Sequence, residues 1–310
     1  MKNSTLYIIG NGFDIYHGIN SRYSDFKIFA KSNNIQLYEK IESYYSSDDY
    51  WSDFESSLAA LHYESVIDCA SDFLLSYGAD EWSDAYHHNY QYEIENIINI
   101  LTDEMLSTFW AWLKQLTLDE EIFFKRKLDY ISPNGIFLSF NYTSTLENYY
   151  SVDSKNINYI HGCVDHEGDD IILGHGWSPE ERKSLNSTAN QDIDDEYFND
   201  IDPRIYEGNT LIDSYFLRTY KPTRKIIEDN MVFFENLSKI TRIYVLGHSI
   251  SEVDIEYFKK IVSSVDVKTT EWYVSFYGEL EQTHHKTTLN DIGVPSDLIY
   301  LHPINNMPKI

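Results

Sequence analysis

The sequence predicts an α/β fold, a mostly parallel sheet with a large helical insertion after its first strand. Three observations carry this. A short apolar run, Leu6-Tyr7-Ile8-Ile9, passes directly into the glycine turn Gly10-Asn11-Gly12-Phe13-Asp14. From about residue 23 to 127, apolar residues recur at three- and four-residue spacing, with no convincing strand signal between them. From Gly135 onward the chain changes to short apolar runs separated by helical stretches, the pattern of a parallel sheet with crossover helices.

The first strand is the apolar run 6–9. In the block that follows, Trp51, Phe54, Leu58 and Leu61 mark one helical face. A longer helix runs from Tyr92 through Ile97, Ile98, Leu101, Met105 and Phe109 to Leu113. A helical block of this length exceeds an ordinary crossover connection. Residues 23–127 are therefore expected to form an insertion or cap, and residues 1–22 with 128–310 the sheet core. Later strands are expected at 136–140, 157–160, 171–173, 243–246, 272–276 and 298–301, with helices at 144–150, 222–237, 252–263 and 279–290. The polar, acidic interval 178–202, with Asn190-Gln191-Asp192-Ile193-Asp194-Asp195 at its centre, is expected to be a mobile loop.

Composition narrows the function classes. The 310 residues are ample for a large core. With 50 acidic against 24 basic side chains, the formal charge of −26 argues against direct nucleic-acid binding, which draws on clustered Lys and Arg. The two cysteines, Cys69 and Cys163, form no CxxC pair, so neither a disulfide framework nor a cysteine-rich zinc site is expected. The opening apolar run is too brief for a signal peptide, and no later run reaches spanning length. A cytoplasmic protein without membrane partners is expected.

The chemistry-bearing residues fall at strand ends. Gly10, Asn11, Gly12, Phe13 and Asp14 follow the first strand; Asn141-Tyr142-Thr143 follows the second. Then come His161-Gly162 and, later, Gly247-His248-Ser249, with Asp254 five residues on. In an open α/β sheet the carboxyl ends of the strands are where ligands bind, so these residues are expected to line one nucleotide-sized site. Glycines at such a turn let a backbone approach a phosphate closely, which makes Asp14 a candidate ribose or pocket ligand. Asn141 both donates and accepts, which suits orienting a ribose hydroxyl or a water; capping the helix near Ser144 is its bland alternative. His161 carries an imidazole, a group that changes protonation near neutral pH, and has a glycine beside it, which makes it the candidate acid or base; a histidine bonded to backbone is the alternative. Asp254 reads as a cap or turn support, Glu147 as support for the site, and His175 as a residue of the pocket mouth or a glycine-flanked loop.

Together these motifs resemble the abortive-infection AbiH family, a branch of the sirtuin-like NAD-processing proteins, over nearly the whole chain. The resemblance rests on Ile9-Gly10-Asn11-Gly12-Phe13-Asp14, Tyr23-Ser24-Asp25-Phe26, Phe140-Asn141-Tyr142-Thr143 with Glu147, His161-Gly162, Gly174-His175-Gly176, and Gly247-His248-Ser249 with Asp254. Trp51 with Glu55 also fits the pattern, although a core role explains that helical face equally. The resemblance implies a Rossmann-like, sirtuin-like core, defence against phage, and cleavage of NAD as substrate. It further implies that Asn141 and His161 carry the NAD chemistry and that Gly247 and Ser249 contact the adenosine side. A phage-encoded trigger and a homo-oligomer are the partners it leaves open.

Other chemistries compete. The run from His161 to Asp170, followed by His175, offers metal-ligand residue types, but Asp165-His166-Glu167-Gly168-Asp169-Asp170 reads as a solvated turn, and no metal is expected. His248 beside Ser249 lacks the G-x-S-x-G elbow of a serine hydrolase. Without a cysteine-rich zinc module, protein deacylation is disfavoured. A non-catalytic nucleotide sensor or scaffold acting through a partner is the alternative function.

Overall fold

In the computed structural model, which describes residues 5–45, 50–78, 86–187 and 202–309, six strands form one sheet. They are β1 (Thr5–Ile9), β2 (Ile136–Ser139), β3 (Ile157–Tyr159), β4 (Arg242–Leu246), β5 (Glu271–Ser275) and β6 (Ile299–His302), in the order β3-β2-β1-β4-β5-β6. Every neighbouring pair is parallel. Ile9 lies opposite both Ser139 and Leu246, and Ser139 lies opposite Tyr159, so the strand tips are level. Asn11, Asn141, His161 and His248 each stand two residues beyond a tip. Strand order reverses between β1 and β4, where successive connections diverge and open sheets receive their ligands.

These strands are apolar on both faces because helices cover both. Leu6, Ile8, Leu138, Ile243, Val245, Trp272 and Val274 enter one core. The alternate residues Tyr7, Ile9, Phe137, Tyr244, Leu246 and Tyr273 enter the other. In the second core, registered aromatic rings stack from strand to strand, Phe137 on Tyr7 (4.8 Å), Tyr7 on Tyr244 (5.3 Å), Tyr244 on Tyr273 (5.1 Å) and Tyr273 on Tyr300 (5.0 Å). Such pairs each contribute about 0.5–1.5 kcal/mol beyond burial. Tyr7, Tyr244, Tyr273 and Tyr300, with Phe137, thus help hold the register of β1, β2, β4, β5 and β6.

The chain divides into two compact units. One comprises Met1–Asp25, Trp110–Ile172 and Pro222–Ile310 and contains the sheet; the other comprises Phe26–Phe109 and Leu173–Lys221. Thus 173–221, which the sequence reading assigned to the core, belongs with the helical block. The reason is packing within the second unit: in the helix Pro203–Arg218, Gly208 lies against the helix Asn89–Asn99 so closely that a Cβ would stand 2.6 Å from Tyr90 Cε1 and 2.8 Å from Ile94 Cδ1. Residues 110–127 go the other way, into the unit with the sheet.

Two further differences have local causes. Residues 171–173 form no strand: the Ile172 amide donates to His161 O (3.0 Å), beyond the end of β3, and the Tyr142 hydroxyl donates to Ile172 O (2.9 Å). The apolar run there reflects burial, with Ile171 and Leu173 each 8% exposed. The helix expected over 222–237 breaks into Thr223–Asp229 and Met231–Glu235, followed by a 3₁₀ turn. Asn230 at the break donates from Nδ2 to Ile226 O (2.8 Å) and accepts from Asn158 Nδ2 (2.8 Å), offering local bonds in place of the helix ladder. The centre of the acidic interval, 190–195, lies outside the described residues. Among the described residues no helix is long and apolar enough to cross a membrane.

Candidate functional site

The glycine turns after β1 and β4 are packed against each other backbone to backbone. Gly10 N–H donates to Leu246 O (3.0 Å), Gly12 N–H to Gly247 O (2.7 Å), and Phe13 N–H to Gly10 O (2.9 Å). A Cβ on Gly10 would lie 2.5 Å from His248 Cα, and one on Gly247 only 2.0 Å from Phe13 N. Gly247 also sits at φ +64°, in the left-handed region that favours glycine, and its N–H donates to Ser275 Oγ (2.7 Å). The glycines are thus required by this seam, and the amides of Gly10, Gly12 and Phe13 are already bonded within the protein. Asn11 bonds Ser21, Nδ2 to the carbonyl (2.7 Å) and Oδ1 from the hydroxyl (2.5 Å).

Beside the seam, on the β2 side, Asp14 and Asn141 come together. Asp14 is 1% exposed; its Oδ2 accepts from Thr143 Oγ1, which also lies 3.2 Å from Thr145 Oγ1. Burial pushes the Asp14 carboxyl up from 3.8 to about 6, against the opposing influence of Thr143, Thr145 and Asn141. Asn141 is 6% exposed. Its amide is close enough to favour the Asp14 charge, yet among the described residues neither Nδ2 nor Oδ1 meets hydrogen-bond geometry with any atom, and Asp14 Oδ1 likewise has no partner there. The helix Thr145–Tyr150 begins at Ser144 with no side-chain cap, so Asn141 does not spend its amide on capping. Its own N–H donates to Ser139 Oγ (3.2 Å), and that hydroxyl reaches back to Asn141 O (3.4 Å). Each buried polar atom without a partner costs about 1–3 kcal/mol, so these three atoms are candidates to bond an incoming polar group.

A second cluster shares the Phe140-Asn141-Tyr142 segment. His161, 2% exposed, places Nε2 3.3 Å from the Tyr257 hydroxyl and 3.9 Å from Asp254 Oδ1. His248 Nδ1 accepts from the Ile250 amide (2.9 Å), so in the neutral ring the proton lies on Nε2, 3.6 Å from Asp254 Oδ2. Asp254 therefore lies between two histidines, and no side-chain cap forms on its helix. Phe140 presents its ring to both, at 5.3 Å from His161 and 4.3 Å from His248. The connection 247–251 is held by the helix Glu279–Asp291, whose His285 and His284 bond Ser249 O (3.1 Å) and Ile250 O (3.2 Å). It keeps the β-branched Ile250 at φ +51°, a conformation costing about 1–3 kcal/mol.

The remaining candidates fall elsewhere. Gly162 turns the chain at φ +83°, and a Cβ there would strike Asp170 O at 2.3 Å. Ser249 is exposed. Glu147 Oε1 accepts from the Tyr159 hydroxyl (3.0 Å) and lies 2.8 Å from His166 Nε2. His175 belongs to the second unit, 1% exposed, with neither ring nitrogen in hydrogen-bond geometry; burial lowers its pKa to about 4. In that unit Trp51 stacks on Phe54 (5.2 Å), as its core reading expects, and Glu55 pairs with the wholly buried Lys221. Thr145, Tyr257 and Ser275 complete the site without having been selected from sequence. Tyr257 was reachable, because it stands three residues after Asp254.

A family model described as Bacteriophage abortive infection AbiH matches residues 6–276. It covers all the strand-tip residues described above. No curated protein matches the chain.

Proposed function

Because the chain belongs to the AbiH family of bacteriophage abortive-infection proteins, we propose that it binds NAD at its strand-tip site and hydrolyses the bond between nicotinamide and ribose. The observation that carries this reading is the set of buried polar atoms without partners among the described residues, Asp14 Oδ1 with Asn141 Oδ1 and Nδ2, at the carboxyl edge of a parallel sheet. The 3-2-1-4-5-6 strand order, shared with doubly wound dinucleotide-binding folds, supports a Rossmann-like reading. These atoms suit sugar hydroxyls, each of which both donates and accepts.

The chemistry asks for little covalent help. As the bond between C1′ and the ring nitrogen breaks, its electron pair goes to nicotinamide, whose ring loses its positive charge, and the sugar takes on oxocarbenium character. Water supplies the new bond to C1′ and releases one proton, leaving ADP-ribose. A site contributes by holding the ribose, excluding bulk water and placing negative charge near the developing cation. Asp14 supplies that charge, Asn141 orients the sugar, and His161 stands at the next strand tip with its own hydrogen-bonded support.

The test is chromatographic detection of nicotinamide and ADP-ribose after mixing the purified protein with NAD, beside Asn141→Ala and His161→Ala. Product from the wild type, reduced by on the order of 10²-fold in each variant, is the expected result. Equal product from all three would refute the assignment. The second reading, a nucleotide-binding sensor without turnover, is favoured by the engagement of His161 with Tyr257 and Asp254. Under that reading ADP-ribose binds while no nicotinamide appears, in infected-cell extract as well as in buffer.

A further inference from the structure

Resting on the nucleotide reading above, we propose that Asp14, rather than His161, is the ionisable group that touches the ligand. With Asn141 it clamps the vicinal diol of a pentose. Asp14 Oδ1 accepts from one hydroxyl, and the Asn141 amide pairs with the other. His161 acts through its neighbours as a positioning residue.

The first argument is the supply of unused hydrogen-bonding capacity. Asp14 and Asn141 are 1% and 6% exposed, and three of their four side-chain polar atoms meet no partner among the described residues. The fourth, Asp14 Oδ2, is fixed by Thr143, so the carboxylate points its other oxygen in a set direction. Ser139 takes over the Asn141 peptide, which leaves the Asn141 side chain unspent. An ionised carboxylate only accepts, whereas an amide both donates and accepts. A pair of adjacent hydroxyls, each donor and acceptor, complements that combination.

The second argument is charge. A phosphate brought against Asp14 would meet a carboxylate whose polar neighbours, Thr143, Thr145 and Asn141, are neutral. Tyr159 of β3 feels the Asp14 charge, and its hydroxyl is pushed further up by it. His17, on Asp14's own helix Asn11–His17, is held neutral by burial, its pKa lowered to about 4. A neutral polyol fits these surroundings; an anion does not. The third argument is that His161 is already engaged, its Nε2 facing the Tyr257 hydroxyl and Asp254 with the Phe140 ring edge-on.

Ionisation supplies the readout. With the carboxyl at about 6, roughly a tenth of it is charged at pH 5 and nearly all at pH 7.5, so binding through the carboxylate strengthens about tenfold between those values. The experiment is calorimetric titration of the full chain with ADP-ribose, ADP, 2′-deoxy-ADP and ribose 5-phosphate at both pH values. Wild type is expected to show the tenfold step with ADP-ribose. Asp14→Asn should bind at least tenfold more weakly at pH 7.5 and lose the step. His161→Gln should keep it, and Thr143→Val, which removes a bond that holds the Asp14 pKa down, should widen it, with affinity reduced several-fold. If ADP outbinds its 2′-deoxy form by tenfold, the clamped diol is that of the adenosine ribose. If those two bind alike while ADP-ribose binds much more tightly, it is that of the other ribose. Asp14→Asn binding within twofold of wild type, or a step lost in His161→Gln and kept in Asp14→Asn, overturns the proposal. Binding of ribose 5-phosphate alone, with the Asp14-dependent step, would refute the nucleotide reading and leave the clamp standing. Binding of none of the four refutes both.

Discussion

Replacing Asp14 by Asn should stabilise the protein while weakening its hold on a ligand. The carboxyl is fully buried and its pKa is raised from 3.8 to about 6, chiefly by desolvation. At 1.36 kcal/mol per pH unit, that displacement makes the charged form cost the folded state about 3 kcal/mol. Because the folded value lies above the unfolded one, the group's contribution to stability is fully present below pH 3.8 and is lost as pH rises through about 6. The substituted amide is neutral throughout, so the variant should exceed wild type by about 3 kcal/mol at pH 7.5 and by only about 1 kcal/mol at pH 4.5. The assay is urea unfolding at the two pH values, with a rise in Tm of about 5 °C at pH 7.5 as a second readout. A variant no more stable than wild type at pH 7.5, or a gap that does not change with pH, would refute the reasoning.

Gly247→Ala should cost about 3–5 kcal/mol in urea unfolding, because its Cβ would lie 2.0 Å from Phe13 N at a φ of +64°. A loss under 1 kcal/mol would mean that the seam of glycine turns is not close-packed in solution. In the second unit, Glu55→Gln removes the carboxylate paired with the wholly buried Lys221 ammonium and should cost about 3–5 kcal/mol, while the double change Glu55→Gln with Lys221→Met recovers much of the loss. Equal stability of the single and double variants would contradict this. Tyr257→Phe deletes the hydroxyl facing His161 Nε2. It should lower kcat for nicotinamide release several-fold with little change in KM, and a change confined to KM would show that this contact orients nothing used in the chemistry.

The sheet was legible because parallel strands covered on both faces are written as unbroken apolar runs. Leu6-Tyr7-Ile8-Ile9 and Ile243-Tyr244-Val245-Leu246 announce themselves for that reason. The same rule misleads at 171–173, where burial without a neighbouring strand produces the same apolar signal. Helix breaks were harder to read. Asn230 looks compatible with a helix until its partners, Ile226 O and Asn158, are in view. At the site, the positions of Asp14, Asn141, His161 and His248 followed from strand ends alone. Their roles did not, since spacing cannot say which polar atoms the fold itself will satisfy. The Gly12 amide is consumed by Gly247, while the Asn141 amide is left over. Tyr257 was hidden among many tyrosines, most of whose rings serve packing.

The placement of Asp254 has a consequence for motion. His161 follows β3 and His248 follows β4, three strand spacings apart, or about 14 Å, yet one carboxylate faces both and the Phe140 ring packs on both. No one of these connections can lift away without stripping partners from the other two. The tips of β2, β3 and β4 are therefore expected to open together, with their amides sharing a single opening free energy in native-state hydrogen exchange. A ligand held at Asn141 would slow exchange as far away as the amide of Ile250.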